Sequence, residues 1–372
     1  MKKRYIGIVV GIVLISAFIV LGNANRDNSG DTITIGAVLP LTGFGSAYGE
    51  SQKNAIDLAV EEINNSGGIG GKNLKVVYED DATDPKATVS ATQKLINIDH
   101  VSALLGYSWD VLANSSMSTI DSSGVPAISA SATPDTLENP SDFFYVTYPE
   151  NASFETVYNT YLKAHQGETV ATISWIGAWG QTQKNAFLKS AEKNGNKVLA
   201  NSIVPLFDQN DIKAELTKIK QLNPDIIFVA TSSSDAKDAI IRNSSLGINA
   251  KLLVAQNAEV TYEVGNLSAK YFENVTVYTR EKADDSFINA YMQKFGIVPQ
   301  NEADSIYDAV YVLKKAIELE GDTPAQIQKG LKGIRDFKGV TGVIDFTEHN
   351  YSDNKKPILE KLINGEFVRV DE

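Results

Sequence analysis

Residues 33–81 read ITIGAVLPLTGFGSAYGESQKNAIDLAVEEINNSGGIGGKNLKVVYEDD. The first nine are apolar almost without interruption, as in a strand buried on both faces. A glycine-rich loop leads into a helix that runs through Ile63 and stops at the glycines of "NNSGGIGG". "NLKVVYEDD" is then a second strand. A strand, a helix and a strand joined this way make two parallel neighbours with the helix laid over one face.

The same unit continues outward. "PKATVSATQKLIN" (85–97) has helical periodicity with Pro85 at its start, where a missing N–H costs nothing. "VSALLG" (101–106), "NSSMSTIDSSG" (114–124) and "VPAISASAT" (125–133) repeat strand, helix and strand. Near "FFYVTYPEN" (143–151) the chain is expected to cross into a second unit of the same rhythm. There "TVATISWIGAWG" reads as strand and loop, "QTQKNAFLKSAEKNG" and "NDIKAELTKIKQLN" as helices, and "PDIIFVATSSS" as strand and loop. "DAKDAIIRNSSLG" reads as a further helix, and "KLLVAQN" and "NVTVYT" as further strands. Alternating elements of this kind predict α/β lobes with parallel sheets. Ligands of such sheets bind beyond the carboxyl ends of the strands, so the loops there are the ones to inspect.

One of those loops is unusual. Gly106-Tyr107-Ser108-Trp109-Asp110 ends a strand and opens a helix, and it carries an indole and a carboxylate.

Composition narrows the function classes. A net charge of −12 argues against nucleic acid and anionic lipid as partners, because both are polyanions. With no cysteine, disulfides, thiolate metal sites and thiol catalysis are excluded. His100, His165 and His349 stand at no metal-ligand spacing, so neither a metal nor a cofactor is expected. No G-x-S-x-G elbow or P-loop is present, and "GGIGG" (67–71) follows a helix and precedes a strand, which makes it a turn rather than a phosphate cradle. The chain is therefore expected not to be an enzyme.

The first 30 residues form a signal or anchor segment and linker: "MKKR", an apolar run from Tyr5 to Gly22, and a polar tract. Basic residues before an apolar core are the export pattern. This core is long for a cleaved signal and is about long enough to span a bilayer, which favours an anchor. Either way, residues from 31 onward are placed outside the cytoplasm.

"IGAVLPLTGFGSAYGESQKNAIDLAVEEINNSGGIGGKNLKVVYEDDATDPKATVSATQKLI", "GVPAISASATPDTL", "PDIIFVATSSSDAKDAIIRNSSLGI", "DSIYDAVYVLKKAIE" and "FKGVTGVIDFTEHNYS" together resemble the type I solute-binding proteins of ABC importers, in the leucine/isoleucine/valine branch. The resemblance covers about residues 33–370. It implies two doubly wound lobes with parallel central sheets, joined by a three-crossover hinge that closes over a ligand. Lobe 1 would take 31–148 plus 280–345, and lobe 2 would take 149–279 plus 346–372. The implied partners are a small-molecule ligand related to amino acids, ABC permease subunits, and the membrane through the N-terminal segment, with the chain acting as a monomer. A sensory protein that signals through a membrane partner is the alternative.

The resemblance also places the site. The family's amino-acid members hold the ligand carboxylate with a Ser after the third strand and a Thr after the fourth, helped by free N–H groups at helix starts. The fourth-strand motif is intact as Ser131-Ala132-Thr133. An ungapped alignment puts the family's Ser on Asp110, and one deletion puts it on Ser108. A carboxylate at Asp110 would oppose a ligand carboxylate; alternatively Asp110 only caps its helix. The acidic residue that meets the ligand ammonium corresponds to Gln256, which is neutral. Tyr48 and Trp179 match the family's aromatic walls, Trp109 adds a third ring, and a small residue, Ser232, stands where the family carries Tyr.

Overall fold

The computed structural model describes residues 32–148, 151–205, 212–255, 267–300, 302–352 and 356–370. The N-terminal signal or anchor segment and Gln256 lie outside the described residues.

The opening strand is β1 (Thr32–Leu39), buried along nearly its whole length. It pairs in parallel with β2 (Asn73–Asp80) and with β3 (Leu104–Gly106), and β4 (Ala127–Ser129) and β5 (Phe144–Val146) extend the sheet to the order β2-β1-β3-β4-β5. The register runs Val38, Gly106, Ser129, Val146 straight across the sheet. That row is its carboxyl edge. Three helices return the chain between the strands: α1 (Ser46–Asn65), α2 (Pro85–Asn97) and α3 (Asp110–Ser123). The α2 start carries a second signal beside Pro85, since the Asp84 carboxylate accepts the N–H groups of Lys86 and Ala87.

After α4 (Asn151–Lys163) a second sheet begins. Strands β6 (Thr169–Trp175), β7 (Lys197–Val204), β8 (Ile226–Ala230), β9 (Lys251–Ala255) and β10 (Val275–Arg280) are parallel in the order β10-β9-β8-β6-β7. Among them run α5 (Ala178–Lys193), α6 (Ile212–Leu222) and α7 (Ser233–Ser245). The next helices, α8 (Asp285–Phe295), α9 (Ala303–Glu320) and α10 (Pro324–Lys332), follow the second sheet in sequence but pack on the first. Ile306, Val310, Leu313 and Ile327 share one core with Ile35, Ala37, Leu105 and Ile128. A hairpin, β11 (Phe337–Gly339) and β12 (Gly342–Ile344), is tied to α9 by the Asp308 carboxylate, which accepts the N–H groups of Val340 and Thr341 at 2.8 and 2.9 Å. The chain then returns to the second sheet as β13 (Pro357–Ile363), antiparallel to β10, and β14 (Glu366–Arg369). The architecture is α/β with two lobes whose sheets are mainly parallel.

One boundary that matters for the site differs from the sequence reading. Helix α5 starts at Ala178, so Trp179 lies in a first turn rather than in a loop, whereas α3 opens at Asp110, in the stretch expected to open a helix. An aromatic residue carries no strong helical signal alone, which is why the periodicity begins later than the backbone does. The short strands β11 to β14 were also absent from that reading; segments of three to seven residues at a sheet edge give little period to detect.

Candidate ligand-binding site

The carboxyl edges of the two sheets supply the site. At the end of β3, Gly106 has φ +114°, and a Cβ there would strike the Val38 carbonyl of the neighbouring strand. Only glycine allows this approach. Tyr107 follows at φ +60°, its N–H donating to Val38 O at 3.1 Å and its carbonyl accepting the Ser129 hydroxyl at 3.0 Å. This turn aims Ser108, Trp109 and Asp110 out of the sheet edge.

What those residues meet was not visible in the sequence. The Ser108 hydroxyl donates to Gln52 Oε1 at 3.0 Å, and Gln52 Nε2 donates to the Ser131 hydroxyl at 3.3 Å. Gln52 is fully buried on α1, four residues after Tyr48 and so on the same helix face. The Ser129 hydroxyl oxygen accepts the N–H groups of Ala132 at 2.9 Å and Ser131 at 3.3 Å. Thr133 N–H donates to Asp110 Oδ1 at 2.8 Å. All three backbone donors of the Ser131-Ala132-Thr133 turn are thus taken by the chain itself, whereas the Thr133 hydroxyl is buried with no hydrogen-bond partner among the described residues.

Asp110 is 7% exposed, and the backbone N–H groups of Trp179 and of Asp110 itself lie near enough, with the Thr136 hydroxyl, to favour its charged form. Its carboxylate therefore sits where α3, the short turn at Pro134–Thr136 and α5 all begin. Three sets of unpaired helix-start donors converge on one anion. Burial still dominates and pushes the carboxyl up to about 6 against those hydrogen bonds. The Trp179 contact joins the two lobes.

Aromatic rings surround this point. Tyr48 and Trp109, both half-buried, lie with centroids 5.0 Å apart, and Gly45 leaves room for the indole, which a Cβ there would meet. Trp175 lies 6.4 Å edge-on to Trp179 and 6.4 Å from Phe44 of the other lobe. Trp175 Nε1–H donates to Asp235 Oδ2 at 3.3 Å. The Ser232 hydroxyl caps α7 by accepting the Asp235 N–H at 3.1 Å, and the Thr231 hydroxyl beside it is buried without a partner among the described residues.

Comparison with known proteins identifies the family. The sequence profile described as "periplasmic binding protein" matches residues 32–356. This chain belongs to the type I periplasmic binding proteins. It is 27% identical to Leu/Ile/Val-binding protein homolog 3 of Brucella melitensis, over 91% of this chain and 94% of that one. It is 24% identical to the leucine-, isoleucine-, valine-, threonine- and alanine-binding protein of Pseudomonas aeruginosa, over 90% and 91%. The branched-chain amino acid transporter substrate-binding protein LivJ of Streptococcus pneumoniae, solved with isoleucine, superposes with a TM-score of 0.81 at 23% identity, over 91% of this chain and all of that one. A solute-binding protein of Rhodopseudomonas palustris, solved with 3,4-dihydroxybenzoic acid, superposes at 0.82 with 20% identity, over 91% and 96%. The last two establish the fold, and they hold chemically unlike ligands within it.

In this periplasmic binding protein Tyr48, Ser108, Trp109, Asp110, Ser131, Ala132 and Thr133 come together on one side, and Trp179 reaches them from the other lobe. Ser232 stands at the end of β8, on the second lobe. Sequence reasoning missed a third group on the hinge side. Arg280, at the carboxyl end of β10, is buried; its Nη2 lies 3.2 Å from Glu302, and its guanidinium lies 4.5 Å from the ring centre of Tyr148, just past β5. Its Nη1 is buried without a partner among the described residues. An arginine ending a strand whose neighbours are apolar was the one available signal.

Proposed function

We propose that this chain is an extracytoplasmic receptor that closes on a small ligand of amino-acid, amide or peptide type and delivers it to an ABC importer. The observation that carries the reading is that strand-end residues of the two sheets meet, the Trp179 backbone beside the buried Asp110 and the Trp175 ring 6.4 Å from Phe44. Such a contact forms only when the lobes come together, so ligand occupancy and lobe closure become linked. We further propose that the chain passes between the lobes near residues 148, 280 and 346, and that residues 1–30 act as an export signal or anchor. Binding residues in this reading are Tyr48, Ser108, Trp109, Asp110, Ser131, Ala132, Thr133, Trp179, Ser232 and Gln256.

Small-angle scattering on the purified chain, with a panel of amino acids, amides and short peptides, tests this. A true ligand should reduce the radius of gyration and raise the melting temperature together. A panel in which no compound does both would sink the receptor reading. Co-purification with permease subunits, present for a transporter and missing for a sensor, decides between transport and signalling.

A further inference from the structure

Resting on the receptor reading above, we propose that the cleft selects an organic cation, an ammonium group on a small apolar body, and that Asp110 fills the place a ligand carboxylate would otherwise take. The backbone donors at the end of β4 are the first ground. Ser129 holds the N–H groups of Ser131 and Ala132, and Asp110 holds that of Thr133, so a ligand carboxylate would find the turn's donors taken and an anion already there.

Charge is the second. The buried or nearly buried ionisable groups at the facing edges include Asp81, Asp110, Asp235 and Glu302 against Arg280. Four carboxylates against one guanidinium leave an excess of negative charge, and Arg280 is already paired to Glu302. Asp110 has no ion pair among the described residues and is stabilised by neutral groups, backbone N–H dipoles and the Thr136 hydroxyl. At neutral pH a group that titrates at about 6 is mainly ionised. A ligand ammonium would supply the missing countercharge, and a ligand carboxylate would add to the excess.

The remaining surfaces fit the same ligand. Phe44, Tyr48, Trp109, Trp175 and Trp179 present ring faces and edges on both sides of Asp110, and aromatic faces attract ammonium ions. The Thr133 and Thr231 hydroxyls, buried without partners among the described residues, offer lone pairs to ammonium hydrogens from one lobe each.

Four probes of one shape test this by calorimetry on the full-length chain: L-leucine, L-leucinamide, 3-methylbutylamine and 3-methylbutanoate. Leucinamide and the amine should bind roughly tenfold or more tightly than leucine, and the acid most weakly. In Asp110→Asn that preference should shrink to about two- to threefold, and Asp110→Ser should gain affinity for leucine. The proposal is overturned if leucine or the acid binds as tightly as the amine, if the ranking survives in Asp110→Asn, or if none of the four binds at millimolar concentration. If Asp110→Asn does not fold by circular dichroism, the parent ranking still decides, and Asp235→Asn in the other lobe should weaken amine binding in the same direction. The receptor reading fails separately, when no compound of the wider panel contracts the chain.

Discussion

Two corners of the cleft are built alike. In each, a parallel strand ends, a buried aspartate sits in the first turn of a helix, a tryptophan N–H lies near it, a serine hydroxyl accepts a backbone N–H, and a threonine hydroxyl is left over. The difference is where the tryptophan comes from. Asp235 is bonded by the indole of Trp175, in its own lobe. Asp110 is bonded by the Thr133 N–H of its own lobe and approached by the backbone N–H of Trp179, in the opposite lobe. One carboxylate is therefore held at all times, and the other is fully satisfied only when the lobes meet. A charge whose solvation depends on closure can bias the hinge; a charge solvated within one lobe can only shape the pocket.

The largest effect should come from the glycines on which the two corners turn. Gly106 combines φ +114° with a Cβ position against the Val38 carbonyl, so Gly106→Ala must both strain the backbone and push β3 from β1. We expect a loss of about 3–5 kcal/mol in urea unfolding. At Gly180 a Cβ would meet the Trp175 carbonyl oxygen at 2.6 Å, but the backbone there is ordinary and the α5 start can shift. Gly180→Ala should cost about 1–3 kcal/mol. Equal costs would mean that the α5 start, which carries Trp179, yields no more readily than the β3 turn.

The Asp110 corner should also respond to pH. Its carboxyl ordinarily titrates near 3.8 and is raised to about 6 by burial, so the folded chain prefers the protonated form. Sign follows directly: the stabilisation is complete below about 3.8 and is lost as pH rises through about 6. Asp110→Asn, which cannot ionise, should gain on the parent between pH 4 and pH 7 by up to about 3 kcal/mol, two units at roughly 1.4 each. Asp81 and Asp308, also raised to about 6, remain in both proteins and cancel in the difference. A gap between parent and variant that does not change with pH would show that the carboxylate is better solvated than the geometry implies.

A smaller pair of substitutions separates the roles of the two carboxylates. Asp110→Ala leaves the buried Thr133 N–H unpaired, and Asp235→Ala leaves the Trp175 indole N–H unpaired. Measured at about pH 4, where the ionisation penalty of Asp110 is absent, each should cost about 1–3 kcal/mol. Only Asp110→Ala should also shift the liganded chain toward a larger radius of gyration, because only it removes a contact between lobes. If both variants expand the chain, or neither does, the distinction between a closure-dependent and a fixed carboxylate is lost.

Much of this was legible in the sequence, and the rest was hidden for identifiable reasons. The parallel α/β lobes followed from unbroken apolar strands and glycine-ended helices, because those patterns are local. Ser108, Asp110 and Thr133 could be picked out as strand-end residues, but not that Asp110 would take the Thr133 N–H, because that bond spans 23 residues and depends on register. Gln52 looked like an ordinary helix residue, and its role depends on partners 56 and 79 positions away. Arg280 and Glu302 become a pair only when the chain, after β10, returns to the first sheet.

The finest test concerns which atom of each tryptophan does the bonding. Trp175 acts through its indole N–H, so its bond to Asp235 vanishes in Trp175→Phe; Trp179 acts through its backbone, so its approach to Asp110 survives in Trp179→Phe. Single substitutions would mix this with lost ring volume, since Trp175 is buried and Trp179 half-buried. A double-mutant cycle removes that term. Trp175→Phe with Asp235→Asn should give a coupling of about 0.5–1.5 kcal/mol, the net worth of one hydrogen bond. Trp179→Phe with Asp110→Asn should give a coupling within error of zero. A substantial coupling at the second pair would mean that the Trp179 ring itself bears on Asp110, and the corner would then be held across the lobes by its side chain as well as by its backbone.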